Sequence, residues 1–368
     1  MKKVLILAND ATNLYKLRKE IIVGLINKGY EVYVALGNDD SVEKLVSLGC
    51  KFIEIDVDRR GLNIVKDIKL FLRYVKLVKD INPDLVMTYA IKPNIYGGMT
   101  ARLLKKKYII NITGIGTAFQ KENMLKKIVT LLYRISAKNA VVFYQNQENK
   151  SIFLKNNIVG TKEILVPGSG VNLEQFTYCE VADTKHDKFL FIARVMEEKG
   201  VDEFLYTSKM LHKKYPEVEF HIIGDIEEDR YESILKEYID AGIIHYHGYT
   251  ENVHDFIRNS TCVVLPSYHE GMSNALLESA AIGRPLIASN ISGCIEIIED
   301  GVNGYLVEPK DKESLLLGVE KFIALPRETK ELMGKAGRKK IEKEFNRKII
   351  VDAYTKCIDG LTGGTKND

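Results

Sequence analysis

Short apolar runs alternate with longer amphipathic stretches along almost the whole chain, and few architectures accept that order. In the first half the apolar runs are Val4–Leu7, Val32–Leu36, Phe52–Ile55, Leu85–Thr88, Tyr108–Ile112 and Val141–Phe143. Helical periodicity fills the gaps near 14–28, 41–48, 62–80, 94–104, 121–138 and 145–155. In the second half the runs are Phe189–Ile192, Glu219–Ile223, Ile243–Tyr246, Cys262–Leu265, Leu286–Ala288 and Gly304–Val307. Between and after them lie helical stretches near 200–214, 229–241, 252–257, 273–282 and 311–324. A strand that must pass through a helix before the next strand forms a parallel pair by crossover. The expected class is therefore α/β, with two doubly wound, Rossmann-like sheets. The length of 368 residues agrees, being too much for one ordinary core.

The boundary is expected at 165–189, where Pro167, Gly168 and Gly170 interrupt a polar stretch without clear period. That places the domains at 1–170 and 171–345. Beyond 325 the pattern is helical only, ending in a polar "TGGTKND" tail that reads as disordered. The N-terminal apolar stretch Val4–Ala8 is too short for a secretory leader and reads as a first buried strand. The five cysteines are scattered without metal-type or C-x-x-C spacing, as expected of reduced cytoplasmic thiols. Charge is divided: residues 1–178 carry a net +12 and residues 179–368 a net −9. The first half is thus expected to face an anionic partner.

Ligands of doubly wound sheets bind beyond the carboxyl ends of the strands, so the chemistry should lie in those loops. In "FIARVMEEKG" (191–200) a strand end is followed by Arg194 and Lys199, beside a helix beginning near Gly200. Two cations at a helix N-terminus make a natural diphosphate site. Gly224 and Asp225 follow another strand, and Gly248, Tyr249 and Thr250 a third. In "LPSYHEGMSNALLESAAIGRP" (265–285), Ser273 or Asn274 is a good N-cap, and Gly283 with Pro285 a stop. Glu270 then lies in the loop before the helix and Glu278 in its second turn. The unpaired amides of Ser273 to Leu276 stand between these two acids. Such a site suits a ligand with many hydroxyls and one diphosphate.

The combination of R-x4-KG at Arg194–Gly200, "HEGMSNALLE" at 269–278, "GVNLEQF" at 170–176 and "SNISGCIEIIEDGVNGYLVEP" at 289–309 resembles family 4 of the retaining glycosyltransferases. "YAIKPNIYG" (89–97) and "NITGIGTAF" (111–119) resemble the subgroup that extends polyprenyl-diphosphate-linked oligosaccharides, N-acetylgalactosaminyl transferases among them. The resemblance implies a GT-B fold, two Rossmann-like domains facing across a cleft, with the last helix, within 346–368, crossing back to the first domain. It implies that Arg194 and Lys199 neutralise the leaving diphosphate, assisted by Glu270, which holds donor-sugar hydroxyls. Glu278 would accept from ribose hydroxyls, and Gly224, Asp225, Tyr249 and Thr250 would frame the base. Gly271, Met272, Ser273, Asn274 and Ala275 would complete the donor site by backbone and shape. Acceptor contacts would come from Asn9, Asn13, Lys92, Asn94, Thr113, Gly114 and Gly116. Many members carry a Gly-Gly pair after the first strand; here "NDATNLYKLRK" has none, and Asn9 and Asn13 stand in its place.

No cofactor is expected beyond the UDP-sugar donor, and no metal. Asp56 and Asp58 have the spacing of a divalent-ion chelate, but Arg59 and Arg60 compete for them. The expected partners are a lipid-linked saccharide and an anionic inner membrane surface met peripherally, through the basic stretches 16–20, 102–108 and 121–138. No nucleic-acid-binding motif accompanies the charge. Two rival functions fit the same motifs: an epimerase-like isomerase of UDP-N-acetylglucosamine, and a non-catalytic nucleotide-sugar-binding scaffold.

Overall fold

The computed structural model describes residues 1–58, 63–115, 119, 124–181 and 186–363. They form two compact units, Met1–Ser169 with Lys348–Asp368, and Gly170–Arg347. In the first, strands β1 (Lys3–Leu7), β2 (Glu31–Leu36), β3 (Lys51–Glu54), β4 (Leu85–Tyr89), β5 (Lys107–Ile112), β6 (Val141–Tyr144) and β7 (Lys162–Leu165) alternate with helices. These are α1 (Ala11–Asn27), α2 (Val42–Ser47), α3 (Ile64–Ile81), α4 (Gly98–Leu103), α5 (Met124–Ala137) and α6 (Gln147–Lys155). The sheet runs β3-β2-β1-β4-β5-β6-β7, and every pairing is parallel.

The second unit repeats the plan. Its strands are β8 (Lys188–Ile192), β9 (Glu219–Ile223), β10 (His245–Tyr246), β11 (Cys262–Leu265), β12 (Leu286–Ser289) and β13 (Gly304–Val307). They run β10-β9-β8-β11-β12-β13, again all parallel. Helices α7 (Val201–Lys214), α8 (Arg230–Asp240), α9 (Val253–Arg258), α10 (Asn274–Ile282), α11 (Lys312–Ile323) and α12 (Arg327–Lys340) complete it.

Period-two alternation divides the core. Val4 and Ile6 of β1 enter one cluster, and Leu5 and Leu7 enter the cluster on the opposite face. Phe189 and Phe191 of β8 likewise part from Leu190. Continuous apolar strands are what a sheet covered on both faces requires. The last helix, α13 (Arg347–Thr362), sets Ile350, Tyr354 and Ile358 into the first core at four-residue spacing. Tyr354 stacks on Phe143 at 4.1 Å, and its hydroxyl donates to Asn111 Oδ1 at 2.5 Å.

Two local departures from the expected pattern have plain causes. β7 is an extra edge strand of four residues, "KEIL", too short and too mixed to declare itself. The expected helix near 94–104 opens instead as a π turn, Pro93–Gly97, before α4. Gly97 presses on β1 there: a Cβ would stand 2.5 Å from Leu7.

Candidate active site

In each sheet the strand order reverses once, and the loops on either side of that reversal form a natural crevice. In the second unit the reversal lies between β8 and β11. The loop after β8 carries Arg194 and Lys199; the loop after β11 carries Glu270. Their backbones touch. Tyr268 N–H donates to the Glu198 carbonyl at 2.9 Å, and Ser267 Oγ donates to it at 3.3 Å. Gly200, at φ +73°, lets the chain pass Pro266 where a Cβ would stand 2.0 Å from its carbonyl oxygen. This approach brings Lys199 Nζ to 2.7 Å from Glu270 Oε1, with side chains 20% and 13% exposed.

α10 begins at Glu270's side of this crevice. Ser273 is its N-cap, its Oγ accepting from Leu276 N–H at 3.3 Å, and Gly283 ends it in the left-handed region. The N–H groups of Asn274 and Ala275 are first-turn donors that the helix itself leaves unpaired, aligned with its positive end. Gly271, Asn274, Ala275 and Glu278 are half-buried around this terminus, and Met272 is buried beneath it.

The other strand-end loops close the site's flanks. Val195 N–H donates to the Asp225 carbonyl at 2.8 Å, and Gly224 N–H to the Gly248 carbonyl at 2.9 Å. Tyr246 donates its hydroxyl to the Gly224 carbonyl at 2.9 Å. Burial first, and then the Asp225 carboxylate, push this phenol up, so it stays a donor. Gly224 itself (φ +143°) allows no side chain, since a Cβ would lie 1.8 Å from the Ala193 oxygen. Tyr249 is exposed, and Thr250 Oγ1 accepts from Asn252 N–H at 3.0 Å. Arg194 is about half exposed and pairs with Glu227 at 3.1 Å.

Sequence reasoning gave no role to Glu227 or to the loop after β12. Gly293 accepts from Ser273 N–H through its carbonyl at 3.1 Å, and its α-carbon lies against Glu270, where a Cβ would meet Glu270 Cβ at 2.7 Å. Glu296 holds this loop from Gly293 N–H (2.6 Å) and Ser292 Oγ (3.0 Å). Burial first, and then the Glu270 and Glu296 carboxylates, push the Cys294 thiol well above its ordinary value against the opposing pull of Lys199. That thiol is no nucleophile. The signal for this loop was present in "SGCIEI", which matched the motif without suggesting roles.

The acceptor candidates of the first unit are less uniform. Its strand order reverses between β1 and β4. Asn9 lies half-buried at the β1 end, and its Oδ1 is buried with no hydrogen-bond partner among the described residues. Asn13 is exposed in the first turn of α1. The amides of that turn are already engaged by carboxylates: Asp10 takes Asn13 N–H at 2.7 Å, and Asp39 takes Ala11 N–H at 2.8 Å and Thr12 N–H at 3.3 Å. The start of α1 is therefore filled by one acid of the glycine-free loop and one of the loop after β2, the reverse of a phosphate cradle. Lys92 pairs with Asp67 at 2.7 Å. Asn94 turns inward: it is buried, its Oδ1 accepts from Thr88 Oγ1 at 2.7 Å, and its Nδ2 donates to the Asn111 carbonyl at 2.9 Å. Its side chain serves the fold, not an acceptor. Thr113 is exposed and Gly114 has open space around it; Gly116 lies outside the described residues, as do Arg59 and Arg60. Asp58, of the weighed Asp56–Asp58 chelate, pairs with Lys66 at 3.2 Å.

Residues 3–147 match the family model "Glycosyl transferase 4-like", and residues 180–340 match "Glycosyl transferases group 1". N,N'-diacetylbacillosaminyl-diphospho-undecaprenol alpha-1,3-N-acetylgalactosaminyltransferase of Campylobacter jejuni is 28% identical over 373 residues, covering 96% of this chain and 97% of that protein. UDP-Gal:alpha-D-GlcNAc-diphosphoundecaprenol alpha-1,3-galactosyltransferase of Escherichia coli is 28% identical over 311 residues, 78% of each. Among solved structures, Anabaena HepE in complex with UDP and glucose superposes with a TM-score of 0.80 at 14% identity, covering 98% of this chain and 100% of that one. A Rickettsia africae glycosyltransferase does so at 0.79 and 18% identity, covering 100% and 99%. Those likenesses identify the GT-B fold.

Proposed function

With one half belonging to the glycosyl transferase 4-like family and the other to the glycosyl transferases group 1, the chain is a glycosyltransferase, and we propose that it moves a hexose or N-acetylhexosamine from a UDP-sugar onto a polyprenyl-diphosphate-linked saccharide. The observation that carries this reading is the Lys199–Glu270 pair at the reversal of the second sheet, beside the N-terminus of α10. Cation, helix terminus and carboxylate sit together where a nucleotide-diphosphate sugar needs them. The named activities of the Campylobacter and Escherichia relatives, both on undecaprenyl-diphosphate saccharides, supply the acceptor class.

In this reading the leaving diphosphate spans Lys199, Arg194 and the amides of Asn274 and Ala275, which stabilise charge as the sugar–phosphate bond breaks. Glu270 accepts from sugar hydroxyls and Glu278 from the ribose. Glu270 is a poor choice for a covalent nucleophile, because Lys199 neutralises it at 2.7 Å. The transfer then runs on one face with retention. As the sugar–phosphate bond breaks, an oxygen of the departing diphosphate takes the acceptor hydroxyl's proton, and the hydroxyl oxygen bonds to the anomeric carbon on the same face. Arg194 and Lys199 supply the positive charge, and no metal ion is needed at the diphosphate.

Peripheral attachment to an anionic membrane belongs to the same reading. No helix among the described residues is long and apolar enough to cross a bilayer. α5 buries Val129, Thr130 and Tyr133 but exposes Met124, Ile128 and Leu131 beside Lys127 and Arg134. α3, the helix expected near 62–80 but given no membrane role there, exposes Ile64, Val65, Ile68 and Leu72 among Lys66, Lys69, Arg73 and Lys76. Its first-turn acid, Asp67, is turned to Lys92 and Tyr96. Outward apolar rows mixed with cations suit a lipid–water interface with anionic headgroups. This would keep the enzyme at the cytoplasmic face, where a lipid-linked acceptor is reached laterally.

The test is incubation with a panel of UDP-sugars, with and without a polyprenyl-diphosphate saccharide. UDP release that depends on the acceptor is expected. Interconversion of free UDP-sugars without acceptor would establish the isomerase, and binding without turnover the scaffold.

A further inference from the structure

Three of the seven histidines gather at the free edge of the second sheet, away from the diphosphate loops. β10 is the outermost strand, and its His245 stands opposite His221 of β9 in register. Glu219 lies two residues before His221, and His247 two after His245, so the strand period sends all four to one side. The rings of His221 and His245 stack with centroids 4.8 Å apart, and those of His221 and His247 at 5.3 Å. One donor atom each from Glu219, His221 and His245 lies within 4.8 Å of the other two.

We propose that Glu219, His221 and His245 form a binding site for a divalent transition-metal ion of the zinc, nickel or copper type, with His247 as the positioning residue. Two imidazoles and a carboxylate are donors these ions favour, leaving a fourth position for water. Ligand atoms 2.0–2.1 Å from a tetrahedral ion stand about 3.3 Å apart. His221 Nε2 is already 3.0 Å from Glu219 Oε2. His245 is exposed on an edge strand and free to turn its ring inward. His221 Nδ1 lies 3.0 Å from His247 Nε2, a contact that occupies Nδ1 and aims Nε2 at Glu219. Such a partner fixes the tautomer and direction of a ligating imidazole. Lys188 Nζ sits 3.0 Å from the same Glu219 oxygen, so the spot already suits a cation, and this partly exposed side chain swings out when the ion enters.

The ion takes no part in sugar transfer. It ties β10 to β9 just before Gly248, whose carbonyl accepts from Gly224 N–H at the flank assigned to the base. Occupancy therefore stiffens that flank.

Tag-free protein, stripped with chelator, should be titrated calorimetrically with zinc sulfate or nickel chloride alone. The expected result is one equivalent bound with a Kd below about 10 μM, and a rise in Tm on saturation. His245→Ala should weaken binding at least tenfold and abolish the Tm rise, while circular dichroism stays unchanged. His247→Ala should weaken it about tenfold, the usual range for an orienting partner. His212→Ala, on α7, should bind as the parent does. Parent binding no tighter than that of His245→Ala, or an equal loss in His212→Ala, overturns the site.

Discussion

Lys199→Ala separates a catalytic cation from a structural ion pair. Lys199 Nζ lies 2.7 Å from Glu270 Oε1, and both side chains are largely shielded from water, at 20% and 13% exposed. Removing one preorganised donor to charge that develops in the transition state costs about 10²–10³ in kcat, roughly 3–4 kcal/mol. Leaving the Glu270 carboxylate without its partner costs fold stability as well, on the order of 1–3 kcal/mol. For a unit of this size that is a Tm drop of roughly 2–4 °C per kcal/mol. A second ion pair in the same unit supplies the control. Lys330 Nζ meets Asp187 Oδ2 at 2.6 Å, with side chains 11% and 13% exposed, outside the strand-end loops of the site. Lys330→Ala should lower Tm comparably and leave kcat near the parent's. The assay is acceptor-dependent UDP release at saturating donor, at a temperature where both variants are folded. If kcat of Lys199→Ala stays within about fivefold of the parent, or if activity falls in step with Tm in both variants, the catalytic assignment is wrong.

Gly200→Ala forces a Cβ into the Pro266 carbonyl at φ +73° and should cost roughly 2–5 kcal/mol, while pushing Lys199 away from Glu270; thermal melting and UDP affinity should both fall. Asn94→Ala should destabilise the first unit, with KM for the acceptor unchanged in whatever protein remains folded, because both ends of that amide serve the sheet. Thiol titration of native protein should find Cys50, Cys262 and Cys294 silent until unfolding, since burial pushes each thiol up, that of Cys50 to about 12. Ile128→Glu with Leu131→Glu should weaken binding to anionic vesicles at low salt without lowering Tm, as both side chains are at least half exposed; unchanged vesicle binding counts against the membrane surface.

Much of this fold is legible without coordinates because its causes are local. Short apolar runs such as "FLFI" and "CVVL", alternating with longer helical stretches, read as strands covered on both faces, and they are β8 and β11. The cap at Ser273 and the stop at Gly283 depend on a few neighbouring residues, so α10 was readable almost to its ends. β7 was not, because four mixed residues at a sheet edge bury too little to leave a pattern. The outward face of α3 was missed for another reason: its buried row of Leu70, Tyr74 and Val78 already accounted for the helical period.

The candidate site divides in the same way. Residue types and spacings within single loops were decided by the chain itself: Arg194 with Lys199, Glu270 with the cap behind it, and the glycines that let backbone approach backbone. Which loops meet was decided by strand order, and strand order is a long-range property that local periodicity does not encode. Only because β8 lies beside β11 does Lys199 reach a glutamate 71 residues away. Only because the loop after β2 returns to the start of α1 does Asp39 engage the first amides of that helix, beside the glycine-free loop. Only because β10 pairs with β9 do histidines that look scattered in sequence stand ring against ring. Periodicity and capping arise from neighbours a few residues apart, whereas a site at strand ends is assembled by pairings tens of residues apart, and the tertiary structure alone selects them.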